Sequence, residues 1–350
     1  MKRQKVSLKY TREGGNRGIV MYEKILSISI ASYNVEEYLN DTVSSLIIDD
    51  EWLKKLEIII VNDGSKDGTI KIARELEHKY PKSIIVIDKS NGGYGSTINS
   101  ALAVAKGKYY KLLDGDDWYD TNVLKEFIAY LEKCESDLVV SPYYEVRDRD
   151  ELIDNHQELP VEGRIINDIE IEDKPFAMHE IAVKTSVLRR LEKDITEHCF
   201  YTDAEFVFYC LIASESIARF DKGVYRYRLG LEGQSVSIEG IRKHYEDMHK
   251  VAERMFQSYH DCAKQFTGTK KRELEFCVRN ITYHTYRAYF LINDPIKKVE
   301  LISFDNEIKE NYPDIYKLSN ESKLVHTIRL LHFEPYRLLS RILINKYISE

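Results

Sequence analysis

The chain has 350 residues, and its 51 Lys and Arg against 58 Asp and Glu give a formal net charge of −7. This length predicts two domains or one large domain. The hydrophobic fraction of 43% excludes collagen-like, low-complexity and wholly disordered proteins. The acidic balance argues against a protein whose main partner is nucleic acid. Five cysteines without a C-x-x-C pair favour reduced thiols over a disulfide framework or a zinc site.

We expect the first 22 residues to form a flexible basic tail, because they are rich in Lys and Arg and lack the apolar segment of a signal peptide. No run in the sequence approaches the roughly 18 to 20 apolar residues that a membrane span needs. Together with the reduced cysteines, these features predict a cytoplasmic protein.

Short β-branched runs alternate with helical patterns in the first 140 residues. The predicted strands are residues 25–31, 56–61, 83–87, 108–113 and 137–140. Apolar residues with helical spacing lie between them, in segments 35–46, 70–80, 96–105 and 124–131. This alternation predicts an α/β fold with a mostly parallel central sheet flanked by helices.

Polar clusters follow three of these strands, at residues 32–34, 62–65 and 114–117. In such sheets ligands bind beyond the carboxyl ends of the strands. We therefore expect the three clusters to gather on one edge of the sheet and to form a site there.

Three carboxylates, Asp114, Asp116 and Asp117, come directly after an apolar strand. Capping of the next helix accounts for one acid, such as Asp120, better than for three within four positions. Carboxylates alternating along an extended segment can instead present oxygens to Mg²⁺ or Mn²⁺. We favour the metal interpretation.

The segments SIASYNVEEYL, IIIVNDGSKDGT and SNGGYGSTINSALAVAKGKYYKLLDGDDW resemble, in this order, the motifs of the family 2 glycosyltransferases, which have the GT-A fold. The resemblance is close over residues 24–145 and weaker to about residue 240. It implies a GT-A catalytic domain over residues 23–240, with a nucleotide-binding half at 23–140 and an acceptor half at 141–240.

The resemblance also implies roles for particular side chains. The implied nucleotide contacts are Ala31, Ser32, Tyr33, Asp63 and Asp114. Among them, Tyr33 would stack on a uracil, Asp63 would accept the N–H of the base imide, and Asp114 would contact the ribose. Asp116 and Asp117 would hold Mn²⁺ or Mg²⁺ against the diphosphate.

The glycine-rich stretch NGGYG, residues 91–95, follows a predicted strand and precedes a predicted helix. A dinucleotide-binding loop is the alternative interpretation, but Ile98 stands where the third glycine would be, so we interpret the stretch as an ordinary turn. Ile98 also replaces the Arg of the A-R-N-x-G motif that family members often carry. One basic contact near the nucleotide or the donor sugar is therefore missing.

The motif YTDAEF, residues 201–206, precedes an apolar helix. Capping of that helix by Thr202 or Asp203 is one interpretation. The motif also resembles the family's E-D-x-E-F, with Thr202 in place of the usual Glu, and this assigns the general base to Asp203. Both interpretations can hold, because a carboxylate that caps a helix stays ionised and is available to accept a proton.

Further candidates for contacts with the acceptor or the diphosphate lie in the second half of the chain. They are His179, Arg226, Arg228, Gln234 and Ser235. His179 is also a candidate metal ligand, although a lone His is more often structural. The arginines suit a diphosphate because guanidinium groups bind phosphate oxygens in pairs.

Residues 241–350 read as a helical C-terminal region. Its last part, residues 323–347, alternates Leu, Ile and Phe with Arg and His, as a basic amphipathic helix pair does. Peripheral contact with the inner face of a membrane, docking on the protein body and a homodimer contact are equally compatible with this pattern. The charge is uneven, because residues 1–24 carry +5, residues 323–350 carry +3, and the body between them carries −15.

Taken together, the motifs predict a metal-dependent, inverting glycosyltransferase that uses a nucleotide-sugar donor, expected to be UDP-linked. Its acceptor would be a glycan or a lipid-linked molecule in bacterial-type polysaccharide synthesis, and no nucleic acid partner is expected. The alternative is a catalytically silent GT-A domain that acts as a binding or scaffold subunit. A nucleotidyltransferase would need a Gly-rich, basic loop after the first strand, which SYNVEEYL does not supply.

Overall fold

Two β-sheets form the centre of the molecule in the computed structural model, which describes residues 23–147, 149–172, 174–230 and 237–349. Over these residues, the strands are β1 (Leu26–Ser32), β2 (Leu56–Asp63), β3 (Ile84–Lys89), β4 (Tyr109–Asp114), β5 (Trp118–Tyr119), β6 (Leu138–Val140), β7 (Tyr143–Val146), β8 (Asp150–Ile153), β9 (Arg164–Ile165), β10 (Ile181–Lys184), β11 (Ser216–Arg219) and β12 (Tyr225–Arg228).

The larger sheet has the strand order β3-β2-β1-β4-β10-β6-β11-β9. Its first four strands are parallel, as predicted, whereas β10 runs antiparallel to both β4 and β6. Strand β11 is parallel to β6 and antiparallel to β9. The predicted α/β fold is confirmed, and the sheet is mixed because its second half is built from strands of both directions.

The smaller sheet has the order β5-β12-β7-β8. Strand β12 pairs antiparallel with β5, through Tyr225 opposite Tyr119 and Arg226 opposite Trp118. Strand β5 begins directly after Asp117, so this pairing holds β12 against the acidic segment at the end of β4. The smaller sheet thereby closes one side of the edge where the site was expected.

Helices surround the sheets and form the C-terminal third. Over the described residues they are α1 (Leu39–Ser44), α2 (Asp50–Leu53), α3 (Thr69–Lys79), α4 (Tyr94–Val104), α5 (Thr121–Lys133), α6 (Thr185–Arg189), α7 (Thr202–Ala213), α8 (Ile238–Lys243), α9 (Tyr245–Cys262), α10 (Gly268–Ile292), α11 (Pro295–Asn311), α12 (Pro313–Ser319), α13 (Lys323–Leu330) and α14 (Tyr336–Ser349). None of them is long and apolar enough to cross a bilayer.

The helix predicted from residue 35 begins only at Leu39. Asn34 has a left-handed backbone with φ of 54° directly before this segment. The N–H of Val35 donates to the Thr69 hydroxyl at 2.9 Å, and the Asn34 side chain accepts from the Lys66 N–H at 2.8 Å. The Val35 carbonyl accepts from the N–H groups of Tyr38 and Leu39, so a turn that is tied to the turn after β2 leads into α1.

Side chains on the two faces of the central sheet enter different hydrophobic clusters. Along β2, Ile58 and Ile60 pack on one face, and Ile59 and Val61 pack on the other. The cluster that contains Ile59 extends without a break into the C-terminal helices as far as Tyr336. The boundary near residue 240 stays a prediction, since the helical region shares a core with the sheet.

Candidate active site

The carboxyl ends of β1, β2 and β4 meet at one edge of the central sheet. Ala31 lies opposite both Val61 and Asp114, and Ser32 lies opposite Asn62. Two parallel pairings, of β1 with β2 and of β1 with β4, thus bring the polar clusters together, as expected from the strand order. Ser32 is buried, while the ring of Tyr33 is 49% exposed and available for stacking.

Asp114 lies at the bottom of this edge and is tied to two tyrosines. The Tyr94 hydroxyl donates to its Oδ1 at 2.8 Å, and its own N–H donates to the Tyr225 hydroxyl at 3.2 Å. Burial, together with the charges of Asp116 and Asp203, raises the pKa of Asp114 to about 7, and the hydrogen bond from Tyr94 opposes that shift.

Asp117 is almost fully buried, and both of its carboxylate oxygens accept hydrogen bonds. The Tyr225 hydroxyl donates to Oδ2 at 2.6 Å, and the Arg228 N–H donates to Oδ1 at 2.7 Å. Burial and the charges of Asp114 and Asp116 raise the pKa of Asp117 to about 9. Three crowded acids in one desolvated place favour a bound cation, because a cation offsets their mutual repulsion.

Asp203 lies in the first turn of α7 and is exposed. Protein atoms around its carboxylate nevertheless shield it partly from water and raise its pKa, and the N–H groups of Ala204 and Asp203 act against that rise. The negative charge of Asp203 is among the causes that raise the pKa values of Asp114 and Tyr94. The segment before Asp203 packs against Gly95, next to Tyr94, whose hydroxyl donates to Asp114.

Helix α7 is not capped by either residue that the sequence suggested. Its N-cap is Tyr201, in a left-handed conformation with φ of 62°, and no side chain makes a cap hydrogen bond. The capping interpretation of Thr202 and Asp203 is therefore wrong. Asp203 remains next to the positive end of the helix, where the dipole favours its charged form.

Asp63 organises the glycine-rich loop, residues 91–96. It is 3% exposed, and it accepts from Lys89 Nζ at 2.7 Å and from the N–H groups of Gly92 and Gly93, both at 2.8 Å. Its predicted contact with a base stays a prediction. Because these two N–H groups bind Asp63, they are not presented to a phosphate as those of a dinucleotide-binding loop would be.

The same loop packs against the segment that leads to Asp203. A Cβ on Gly93 would lie 3.2 Å from the backbone of His198, and a Cβ on Gly95 would lie 2.1 Å from the Thr196 carbonyl oxygen. Asn99 exchanges two hydrogen bonds with the backbone of Ile195, each of 2.9 Å. The loop therefore acts as a support that connects Asp63 to the segment that leads to Asp203.

His179 faces the acidic cluster. Its ring stacks on Tyr227 with centroids 4.3 Å apart, and it contacts the rings of Tyr143 and Tyr225. Neither ring nitrogen is solvent-accessible or has a hydrogen-bond partner among the described residues. The potential ligand atoms of Asp114, Asp117 and His179 all lie within 4.8 Å of one another.

Burial, together with the nearby charge of Lys111, lowers the pKa of His179 to about 3. The ring is therefore neutral at physiological pH and keeps a nitrogen lone pair, as a metal ligand must. Lys111 donates to the backbone carbonyl of His179 at 2.6 Å and so holds the segment that carries the ring. Asp116, a predicted metal ligand, is half-buried and is not part of this three-residue group; its metal role stays a prediction.

Comparison with known proteins agrees with this geometry. The model of the family described as Glycosyl transferase family 2 matches residues 27–196. Residues 27–196 are a family 2 glycosyltransferase domain. The match covers β1 to β10, including the acidic segment and the glycine-rich loop, and it ends before Asp203.

Relatives and solved structures extend beyond the family 2 domain. The minor teichoic acid biosynthesis protein GgaB of Bacillus subtilis is 28% identical over 216 residues, which are 60% of this chain and 23% of GgaB. The structure of S. aureus TarS has a TM-score of 0.65 at 18% identity and covers 91% of this chain and 55% of TarS. TarS 1–349 in complex with UDP-GlcNAc has a TM-score of 0.57 at 18% identity and covers 85% and 92%. The chain thus spans about a quarter of GgaB, and the structural likeness shows the shared GT-A fold.

The two candidate arginines of β12, beyond the matched domain, have different surroundings. Arg226 pairs with Asp120 at 2.9 Å and with Asp150, and its guanidinium covers the Tyr144 ring. Arg228 stacks on the ring of Trp118 and donates to the Asp116 carbonyl at 2.8 Å, beside the acidic segment. Arg228 is therefore the better placed of the two, and the roles of both stay predictions. Gln234 and Ser235 lie outside the described residues.

The sequence analysis missed the tyrosines that line the site. Tyr94 and Tyr225 bond to Asp114 and Asp117, and Tyr227 covers His179. A signal for two of them was present, because alternation along Tyr-Arg-Tyr-Arg puts Tyr225 and Tyr227 on one face of a strand. Nothing in the spacing identified Tyr94, whose partner is 20 residues away.

The raised carboxyl pKa values predict how Asp114 affects stability. Its pKa of about 7 in the folded state exceeds the ordinary value of 3.8 for an aspartate, so between these pH values the folded protein holds a proton that the unfolded chain has lost. This contribution to stability is full below pH 4 and is lost as pH rises through about 7. Without divalent cations, we expect the Tm of the wild type to fall more between pH 6 and pH 8 than that of Asp114→Asn.

Comparison with the Asp114→Asn variant is needed because the titration of Lys111 changes the stability of the protein with pH in the opposite direction. Burial lowers its pKa to about 7, so its contribution to stability rises with pH above 7. Thermal unfolding of both proteins in EDTA, at pH 6 and pH 8, isolates the Asp114 contribution. Equal Tm changes in the two proteins would contradict a raised pKa at Asp114.

Proposed function

We propose that this protein is an inverting glycosyltransferase that transfers a sugar from a UDP-sugar to an acceptor hydroxyl, with Asp203 as the general base. One observation carries the proposal: Asp203 is exposed, and the segment before it packs against Gly95, next to Tyr94, whose hydroxyl donates to Asp114. This arrangement supports a site that a base and a cluster suited to a diphosphate would share.

The reaction would be a single displacement. Asp203 takes the proton of the acceptor hydroxyl while the hydroxyl oxygen attacks the anomeric carbon. The bond between that carbon and the diphosphate oxygen breaks, and the nucleoside diphosphate leaves from the opposite face. The configuration at the anomeric carbon is therefore inverted.

The donor would lie across the ends of β1, β2 and β4. The exposed ring of Tyr33 is available for a uracil, and Asp114 is available for the ribose hydroxyls. Arg228, beside the backbone of Asp116, is our candidate for a diphosphate contact. The UDP-GlcNAc complex of the structurally similar TarS supports a uridine nucleotide as the first donor to test.

The residues present fit a divalent cation. Asp114, Asp117 and His179 offer two carboxylates and a neutral imidazole within reach of one another, and the His179 nitrogens have no other partner among the described residues. We propose that these three side chains, with Asp116 beside them, hold Mn²⁺ or Mg²⁺. When bound, the ion supplies Lewis-acid stabilisation of the charge on the diphosphate.

We propose a glycan or a lipid-linked molecule as the acceptor, in the synthesis of a surface polysaccharide. The name of GgaB, a teichoic acid biosynthesis protein, supports that class. We place the enzyme in the cytoplasm, where nucleotide sugars are made, and a homodimer remains compatible with the proposal.

A panel of UDP-sugars and GDP-sugars tests the proposal by calorimetry and by release of the nucleoside diphosphate. We expect at least one UDP-sugar to bind and to be hydrolysed slowly in the presence of Mn²⁺. Both the binding and the hydrolysis should be lost in EDTA. Binding without turnover for every donor and acceptor would favour the catalytically silent alternative. Absence of metal-dependent binding for every donor would overturn the proposal.

A further inference from the structure

Half of the exposed large hydrophobic side chains among the described residues lie near the C-terminus. They are Ile296, Val299, Leu330, Leu331, Leu338 and Ile342, which we call the apolar corner. Ile296, Val299 and Leu330 are each 66% exposed. Exposed apolar groups are ordinary when scattered, but a group of them at one place marks an interaction surface.

The fold brings the three segments that carry these residues together. The Tyr336 hydroxyl, at the start of α14, donates to the Tyr289 carbonyl near the end of α10 at 2.6 Å. Lys298 in α11 pairs with Glu334, between α13 and α14, at 3.7 Å. The starts of α11 and α14 and the end of α13 therefore meet at one corner of the helical region.

Helix α14 has a docked face and an open face. Tyr336 and Ser340 are buried, and Leu339 and Leu343 pack against the core, so this face is docked on the body. With 100° per residue, Leu338 and Ile342 fall on the opposite face. Docking on the body, one of the three sequence interpretations, thus accounts for only half of the helix.

The open face is basic around its apolar residues. Arg337 and Arg341 lie on one side of Leu338 and Ile342, and Lys346 lies on the other. Arg337 and Arg341 are exposed and form no ion pair with any described residue. An apolar strip flanked by long basic side chains suits an anionic lipid surface, which accepts both the apolar side chains and the charges.

A second copy of the chain fits this face less well. A two-fold interface places the same patch of both subunits together. Arg337 and Arg341 of one copy would then face the same arginines of the other, and Glu334, the acid beside them among the described residues, already pairs with Lys298. Charge complementarity therefore favours an anionic bilayer over a homodimer.

We propose that the apolar corner docks on the surface of an anionic lipid bilayer and that the acceptor is therefore lipid-anchored. Docking would hold the protein at the bilayer surface, where a lipid-anchored acceptor can reach the enzyme. The docking proposal is argued from the exposed residues of the apolar corner alone, whereas the acceptor class rests on the proposed function.

Flotation with lipid vesicles tests the docking. We expect the full chain to bind vesicles of phosphatidylcholine with phosphatidylglycerol, and to bind pure phosphatidylcholine vesicles about 10-fold more weakly. Leu338→Ser/Ile342→Ser and Arg337→Gln/Arg341→Gln should each reduce binding to the anionic vesicles by about 10-fold. Leu152→Ser/Val161→Ser, which changes two side chains of similar exposure elsewhere, should bind like the wild type.

Two outcomes overturn the docking proposal. One is that the wild type does not bind anionic vesicles, and the other is that the Leu338→Ser/Ile342→Ser variant binds them as well as the wild type does. A dimer in light scattering that this variant dissociates, without vesicle binding by the wild type, would assign the corner to a second copy. UDP binding, measured on the same proteins without vesicles, reports separately on the proposed function.

Discussion

Asp203→Asn is expected to reduce glycosyl transfer by at least about 10³-fold, because a positioned general base contributes roughly 10² to 10⁴ and an amide cannot accept the proton. The side chain is exposed, and an amide oxygen can still accept from the N–H groups of the first turn, so the Tm of the variant should stay close to that of the wild type. Metal-dependent binding of the donor should be retained, since the acids of the nucleotide side are unchanged. Steady-state kinetics with calorimetry separates these effects.

Glu205 provides a matched control on the same helix. It is fully buried, and it accepts from the Thr196 N–H at 2.9 Å and from Arg254 Nε at 3.3 Å. Glu205→Gln should therefore lower the Tm and reduce transfer only in proportion to the loss of folded protein. Near-normal turnover by Asp203→Asn would remove Asp203 from the role of base.

Gly95→Ala should lower the free energy of unfolding by about 3 kcal/mol, a large effect for one methyl group. Its Cβ would lie 2.1 Å from the Thr196 carbonyl oxygen and 2.9 Å from a methyl group of Ile195. Neither the Thr196 carbonyl oxygen nor the Ile195 methyl group can move away easily, because the two hydrogen bonds with Asn99 hold the Ile195 backbone. Urea denaturation measures the loss.

Gly68→Ala is the matched control, at the N-cap of α3. Its φ of −74° suits alanine, and the nearest atom to an added Cβ is the end of the flexible Glu36 side chain. It should cost less than about 1 kcal/mol. Equal stability losses for the two variants would show that the loop does not press on the segment before Asp203.

Strand patterns could be predicted because they are local and strong. The apolar run of β2 is buried along its whole length, and the runs of β1 and β4 are buried on both faces, so each was recognisable in isolation. The polar clusters after these strands could then be predicted to share an edge, because parallel strands end on the same side.

Other features depend on partners that are remote in the chain. The helix predicted from residue 35 begins late because Val35 and Asn34 bond to residues more than 30 positions away. Asp117 is buried because Tyr225 and Arg228, over 100 residues later, bond to its carboxylate. Periodicity carries no information about such pairings.

The sequence by itself determined the α/β class, the strand edge that carries the acids and the candidate base, because these follow from short-range patterns and from a motif resemblance. Only the tertiary structure decided that His179 faces Asp114 and Asp117, that the glycine-rich loop supports the segment before Asp203, and that α14 docks with one face and leaves the other open. The physical reason is that each of these three features depends on which side chains, distant in the sequence, pack around a polar or apolar group and bury it away from water. Burial of that kind is set by the packing of whole elements and not by the order of neighbouring residues.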